Sequence, residues 1–136
     1  MAGDGEGMSP EDARLALERY TTSKISSAED LFAIHTFGFR GEALSSIAGV
    51  SKMKTVTRRK GDLSGFEIQI EGGVVKSTGE TGCPKGTSIE VRDLFYNVPV
   101  RLKFLKSPNT ELGHISEADS RMALANETTQ FQLSHE

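Results

Sequence analysis

An alternation of apolar and polar residues through the middle of the chain most constrains its fold. Apolar side chains stand at every second position in residues 66–71 and 88–91, and residues 53–57 follow the alternation more loosely, with threonines at positions 55 and 57. Successive side chains of a β-strand point to opposite faces, so this period indicates strands with one buried face. The pair Gly72-Gly73 is typical of a hairpin turn, and it precedes a further short strand at residues 74–76. The sequence therefore predicts an antiparallel sheet.

Helices are predicted before and after these strands. Ser9 can cap a helix over residues 9–20, with proline at the first helical position, and a short capped turn is predicted at residues 27–31. Helical spacing of apolar residues predicts a helix at residues 42–48. Asn109 is a plausible cap for a helix to about residue 125, and residues 128–133 follow as a predicted strand. Helices beside a mostly antiparallel sheet indicate an α+β fold, a two-layer α/β sandwich, and residues 1–136 fit a single domain.

Composition limits the classes of function. The formal net charge of −3 and the pI near 5.7 predict that any contact with nucleic acid comes from local patches. Cys83 is the single cysteine, which excludes an internal disulfide framework, and the three histidines lack metal-ligand spacing. The sequence shows neither a leader peptide nor an apolar membrane span. We therefore expect a soluble, cytoplasmic protein without a metal site or a membrane partner.

Three glycine-bearing loops are candidate ligand-binding segments. Gly5 and Gly7 precede the first helix, Gly38 and Gly41 precede the third, and Gly86 leads into a strand. Free N–H groups at a helix start suit a phosphate, but glycine more often serves a turn with positive φ. The sequence has neither the Walker pattern G-x-x-x-x-G-K-[ST] nor the dinucleotide fingerprint G-x-G-x-x-G after a strand, so the two commonest nucleotide-binding folds are disfavoured.

The residue sequences of four segments, and their order along the chain, point to one family. These segments are Thr22-Ser23-Lys24-Ile25, the run GFRGEAL at residues 38–44, Gly86-Thr87, and the run DLFYNVPVRLKFL at residues 93–105. The chain resembles the MutL family of DNA mismatch repair proteins from Asp4 to about Ser134. GFRGEAL matches that family's signature letter for letter, and the run at residues 93–105 is a second specific match.

The resemblance implies the GHKL-type ATPase fold of gyrase B, of a class of large heat-shock chaperones and of histidine kinases, with ATP bound beneath a mobile lid. Gly5, Gly7 and Thr87 are the implied residues of the adenine end. The implied lid and phosphate contacts are Thr22, Ser23, Lys24, Gly38, Phe39, Arg40, Gly41, Glu42 and Leu44. Glu42 can also complement the dipole of its helix, and Leu44 can pack in the core, so their roles stay open.

Several residues that the family uses with ATP are not supplied by this chain. Gly3 stands where the family's D-x-G-x-G motif has the aspartate that contacts adenine, and Met1 and Ala2 replace the strand before it. The family's general-base glutamate and magnesium-binding asparagine belong to a motif upstream of Gly5. A general base contributes typically about 10²- to 10⁴-fold to the rate. We therefore expect no catalytic residue and no ATP hydrolysis, weak or absent binding of ATP and Mg²⁺, and an open sheet edge that favours association.

Two groups of basic residues are candidate DNA contacts. The first group is Arg58, Arg59 and Lys60, and the second is Arg101 and Lys103. Lysine and arginine can neutralise DNA phosphates, but the plainer interpretation is a strand and a loop whose charged faces stay hydrated. The acidic net charge of the chain favours that plainer interpretation.

Two classes of function remain open. The resemblance implies a repair switch whose intact parent binds ATP, forms an ATP-dependent homodimer and couples a mismatch-recognition protein and DNA to downstream repair factors. The alternative is a non-catalytic interaction module, or an inactive truncated gene product of the same family.

Overall fold

The computed structural model describes residues 1–19 and 40–135. The chain forms two compact units, Met1–Pro99 and Val100–Glu136. Several predictions lie outside the described residues, namely the turn at residues 27–31 and the site residues Thr22, Ser23, Lys24, Gly38 and Phe39.

In the described residues, the first unit is built on a five-stranded antiparallel sheet. Along the chain its strands are β1 (Ala2–Gly3), β2 (Lys52–Arg58), β3 (Gly65–Glu71), β4 (Val74–Thr81) and β5 (Gly86–Arg92). Their order across the sheet is β1-β5-β2-β3-β4. Gly72 and Gly73 have φ values of 57° and 84°, and they form the predicted hairpin turn between β3 and β4. The predicted α+β class, the turn, and the strands predicted at residues 53–57, 66–71, 74–76 and 88–91 are confirmed.

Two helices, α1 (Pro10–Leu15) and α2 (Ala43–Gly49), pack on one face of the sheet. Every second residue of β2 and β3 turns toward them, because strand side chains alternate between the two faces. The Arg14 guanidinium lies 4.7 Å from the centre of the Phe66 ring, which adds a cation–π contact between α1 and β3. The buried apolar core consists of Ala13, Ala48, Met53, Phe66, Ile68 and Ile70.

The opposite face of the central strands is polar. Lys54 of β2 pairs with Glu67 of β3 at 2.8 Å, and Glu90 pairs with Arg92 along β5. The face covered by the helices is therefore buried and the opposite face is exposed to solvent, as the alternation predicts for a two-layer sandwich.

The second unit contains nearly all of α3 (Pro99–Phe104) and the whole of α4 (Pro108–Ala125). The cap of α4 is Ser107 rather than the predicted Asn109. Ser107 accepts the Thr110 N–H, and Pro108 then occupies the first turn, where its missing N–H costs nothing. None of the helices in residues 1–19 and 40–135 combines the length and apolarity that crossing a bilayer needs.

Two strand predictions are wrong. Residues 128–133 are not a strand, since they form no ladder with any described strand. Conversely, Ala2 and Gly3 do form a strand, because they pair with Ser88 and Thr87 of β5.

At the first helix, the predicted cap is confirmed, since Ser9 Oγ accepts the Asp12 N–H at 3.0 Å. That helix ends at Leu15, earlier than the predicted residue 20.

Candidate nucleotide site

The loop before α1 meets β2 and β5 through the hydroxyl of Thr57. Thr57 Oγ1 accepts the Met8 N–H at 2.9 Å, donates to the Gly86 carbonyl at 3.2 Å and lies 2.9 Å from Thr87 Oγ1. Only 1% of Thr57 is exposed. We call Met8, Thr57, Gly86 and Thr87 the Thr57 network. It joins segments that are 49 and 30 residues away from Thr57 in the sequence.

Two glycines permit the close approach of these segments. A Cβ atom on Gly7 would lie 2.1 Å from the Arg58 carbonyl oxygen, and one on Gly86 would lie 2.1 Å from the Gly3 carbonyl oxygen. Both glycines also have positive φ, 75° and 114°, which L residues adopt at a cost. At Gly5 a Cβ would meet nothing within 4 Å, so packing gives that glycine no steric role.

Gly3, the position at which the resemblance implies an aspartate, lies opposite Thr87 in the sheet. Gly3 pairs directly with Thr87, and residues opposite each other in a sheet share a face. A side chain at position 3 would therefore stand beside the Thr87 hydroxyl. Thr87 as a whole is half-buried. Because Gly3 has no side chain, Thr87 supplies the side-chain oxygen at this position.

The described part of the second glycine loop forms the start of α2. Gly41 has a φ of 67°, and Glu42 stands at the cap position without a side-chain hydrogen bond to the helix. Leu44 packs against the core, whereas Arg40 is exposed. Among the described residues, no hydrogen bond or ion pair links Arg40, Gly41 or Glu42 to the Thr57 network. Their role at the phosphates stays a prediction.

The end of α2 is held by donors from a distant loop. The last carbonyls of a helix have no partner inside the helix. The Gly49 carbonyl accepts from Asn97 Nδ2 at 2.9 Å, and the Val50 carbonyl accepts from the Phe95 N–H at 2.7 Å. The second specific motif, DLFYNVPVRLKFL, therefore has a local structural role, because it closes the helix that begins just after Gly41.

The turns near this end of α2 complete the closure. Gly73 donates its N–H to the Ala48 carbonyl at 2.9 Å, and Ser51 Oγ donates to the Ile47 carbonyl at 2.7 Å. Asp93 and Phe95 adopt φ values of 51° and 64°, which are uncommon for residues other than glycine. Such conformations persist only where neighbouring contacts impose them.

A cavity of about 480 Å³ lies elsewhere in the first unit. It is open on one side and is lined by residues of α1, α2, β3 and β4 and by the residues just after α1, among them Leu17, Ala48, Ile68 and Ile70. None of the described residues predicted to contact the nucleotide lines this cavity. Within residues 1–19 and 40–135, no group of three or more His, Cys, Asp or Glu side chains is placed to hold a metal ion. The described residues therefore do not account for a magnesium site.

The basic residues near Gly7 have partners within the chain. Arg58 donates from Nε to the Cys83 carbonyl at 2.8 Å and from Nη1 to the Asp62 carbonyl at 3.1 Å. Arg59 Nε lies 3.1 Å from an oxygen of the Asp62 carboxylate, and this contact lowers the pKa of Asp62. These contacts give Arg58 and Arg59 structural roles, while Lys60 is exposed.

Arg101 and Lys103 lie in the last turn of α3, where both are exposed. Contact between DNA and either basic group stays a prediction.

The sequence pattern did not single out Thr57. Its place in the alternation made it one more residue of a half-buried strand. The available signal was chemical, because residues 53, 55 and 57 share the core face of β2 and two of them are threonines. A buried hydroxyl favours hydrogen-bond partners, so a threonine on a core face indicates a contact with polar groups of another segment of the chain.

Comparison with known proteins identifies the family. No family model matches the chain. The DNA mismatch repair protein MutL of Symbiobacterium thermophilum is 57% identical over 130 residues, which are 96% of this chain and 20% of that protein. The protein of the same name from Syntrophobacter fumaroxidans is 55% identical over 130 residues, which are 96% of this chain and 19% of that protein.

Solved structures agree with these relatives. The Aquifex aeolicus MutL ATPase domain complexed with ADP superposes with a TM-score of 0.69 at 35% identity, over 92% of this chain and 42% of that chain. The chain thus spans about a fifth of the length of its curated relatives and about two-fifths of the solved domain. With this identity over nearly all of its residues, and with the same fold, the chain belongs to the MutL family of DNA mismatch repair proteins and corresponds to part of their ATPase domain.

Proposed function

We propose that this chain carries the adenine end of the nucleotide site of a MutL-type ATPase. One observation supports the proposal above all, namely the Thr57 network, which brings the loop containing Gly7 against the half-buried hydroxyl of Thr87. A solved relative that covers 92% of the chain, the Aquifex aeolicus MutL ATPase domain, is complexed with ADP. We therefore assign nucleotide contacts to Gly7 and Thr87, with Gly5 beside them.

The phosphate end rests on the family motif. Arg40, Gly41, Glu42 and Leu44 belong to the GFRGEAL run, and we propose that the N–H groups of this run contact the phosphates. Thr22, Ser23 and Lys24, with Gly38 and Phe39, complete that proposed contact outside the described residues. We expect ATP to bind weakly, because a glycine stands at the aspartate position and the described residues offer no magnesium site.

The parent protein's role is also a proposal. We propose that the intact protein acts in DNA mismatch repair as a switch that binds ATP, dimerises and works with a mismatch-recognition protein on DNA in the cytoplasm. The shared name of the relatives and their identity to this chain support this role. For the 136 residues alone we expect phosphate release at background, measured with purified chain and ATP.

Titration with ADP, followed by amide NMR, tests the proposed site. We expect shifts at Gly7, Met8 and Thr87, and a dissociation constant roughly tenfold higher for Thr87→Val, because one hydrogen bond is lost. Thr78→Val is the matched control, since Thr78 is an exposed threonine of β4 that lines the 480 Å³ cavity. Shifts confined to the residues around Thr78 would place the nucleotide in the cavity and refute the proposal.

A non-catalytic interaction module is the second candidate function. Its support is the apolar surface of the second unit, where Val100, Phe104 and Leu124 are 67%, 75% and 80% exposed. Large apolar side chains exposed to this extent suit an interaction surface. Light scattering tests this candidate, since a chain that stays monomeric at high concentration while it binds ADP favours the nucleotide function.

A further inference from the structure

One arrangement of protons satisfies all three contacts of Thr57 Oγ1 at once. A threonine hydroxyl offers one proton and two lone pairs. The Gly86 carbonyl can only accept, so the contact at 3.2 Å uses the Thr57 proton. The Met8 N–H can only donate, and it occupies one lone pair of Thr57 Oγ1. The contact with Thr87 at 2.9 Å therefore falls on the second lone pair, and Thr87 is its donor.

We propose that Thr57 is a positioning residue that makes Thr87 a pure hydrogen-bond acceptor toward the ligand. With its proton directed at Thr57, Thr87 Oγ1 has only lone pairs left for a ligand. It then selects a ligand with an N–H donor at that point, which is the exocyclic amino group of adenine. This proposal rests on the proposed function and adds the residue that sets the preference for that amino group.

The neighbourhood of Thr87 strengthens this assignment. Gly3 lies directly opposite Thr87 and brings no side chain, so no carboxylate stands beside the hydroxyl at this point. Thr57 is almost completely buried, so water does not compete for its hydroxyl. A purine without the amino group would leave the Thr87 lone pairs facing the ligand unpaired, and an unpaired polar group in a closed site costs binding energy.

The same strand provides a matched control. Thr55 also faces the core, is 3% exposed, and its Oγ1 has no hydrogen-bond partner among the described residues. Thr55→Val and Thr57→Val make the same chemical change two residues apart on one face of β2. Only the change at Thr57 removes the hydroxyl that holds the Thr87 proton.

The test compares ADP with purine riboside 5′-diphosphate, which lacks only the amino group, by amide NMR titration of the full chain. In the unmodified chain and in Thr55→Val we expect ADP to bind roughly tenfold more tightly, the order of one hydrogen bond. Thr57→Ser keeps a hydroxyl and should keep this preference. In Thr57→Val the Thr87 hydroxyl can rotate and donate to the ring nitrogen that both ligands share, so the ratio should fall toward one.

Further measurements separate the possible failures. Thr57→Val also leaves the Met8 N–H unpaired, so amide exchange at Met8 reports whether the variant remains folded and has lost this bond. If it unfolds, Thr87→Val serves instead, because it removes the acceptor and leaves the other bonds of Thr57 in place, and the same loss of preference is expected. Tight ADP binding without a preference in the unmodified chain overturns the proposal alone. Absence of ADP binding overturns the proposed function together with it.

Discussion

At Gly7, a positive φ and the nearby Arg58 carbonyl leave no room for a Cβ atom. We predict that Gly7→Ala lowers the free energy of unfolding by at least about 2 kcal/mol, because the new Cβ would meet the Arg58 carbonyl in a backbone conformation that already costs about 1–3 kcal/mol. Urea unfolding measures this loss. Gly5→Ala is the control and should change stability by less than about 0.5 kcal/mol, as at an ordinary surface position. Equal losses in the two variants would contradict the close approach seen at Gly7.

Asp93 combines an uncommon backbone conformation with an ion pair. Its carboxylate lies 2.8 Å from Lys52 Nζ, and the hydrogen bond and the charge of that ammonium lower the pKa of Asp93 below its usual 3.8. A carboxyl whose pKa is lowered by folding stabilises the folded state above its unfolded pKa. This contribution is lost as the pH falls through the lower, folded value.

Asp93→Asn isolates this charge, since asparagine tolerates positive φ as aspartate does. We predict that the variant is less stable than the unmodified chain at pH 6, and that the difference disappears as the pH falls below about 3.8. Urea unfolding at several pH values and low salt measures it. Asp119→Asn removes one negative charge from α4 in the other unit, and this control variant should not reproduce the pH profile. A difference that does not shrink as the pH falls below 3.8 would assign the effect to backbone or packing instead of charge.

At residue scale, the family motif singled out the glycines and Thr87 as candidate contacts, which stay predictions, whereas no pattern singled out Thr57. Gly7 and Thr87 stand in recognisable runs, whereas Thr57 stands in an ordinary alternating strand. Its importance arises from three partners that are distant in sequence and meet only when β2, β5 and the first loop assemble. A hydroxyl's partners depend on this assembly and are not encoded in local spacing.

At the scale of elements, α2 is a short helix whose C-terminal end is closed from outside. Asn97 donates to the Gly49 carbonyl, and we predict that Asn97→Ala lowers stability by about 0.5–1.5 kcal/mol, the usual net value of one hydrogen bond. Amide exchange should also accelerate within α2. Asn126→Ala removes a comparable side-chain bond, to the Met122 carbonyl at the end of α4, and should leave exchange in α2 unchanged. An identical exchange pattern in both variants would refute a specific closure of α2.

The elements divide into those that local pattern determines and those that pairing determines. β2, β3 and the glycine turn follow from alternation and turn chemistry, and the structure confirms them. Ala2 and Gly3 carry no strand signal and become β1 only because β5 offers a free edge. Residues 128–133 carry a strand pattern but form no ladder with the described strands. A segment becomes a strand only when a neighbouring strand pairs with it. Short alternating patterns near the ends of a chain therefore predict strands poorly.

On the scale of the molecule, burial is concentrated in one of the two units. The apolar core lies in α1, α2, β2 and β3, and every buried residue of that core belongs to the first unit. All residues of α3 and α4 are described, and none of them is buried. An 18-residue helix without a buried face is close to the limit at which an isolated helix is marginal in water.

This distribution predicts two levels of stability in one chain. Amides in β2 and β3 should exchange only through global unfolding of the first unit, whereas amides in α4 should exchange through local opening at least about 100-fold faster. Native-state hydrogen exchange measured by NMR on the full chain compares the two directly. β4 provides an internal reference, since it is exposed but hydrogen-bonded to β3 along its length, and its protection should fall between these levels. If α4 exchanges as slowly as β3 at every protein concentration, the prediction fails. Protection of α4 that rises with concentration would instead mean that a second copy covers its apolar residues.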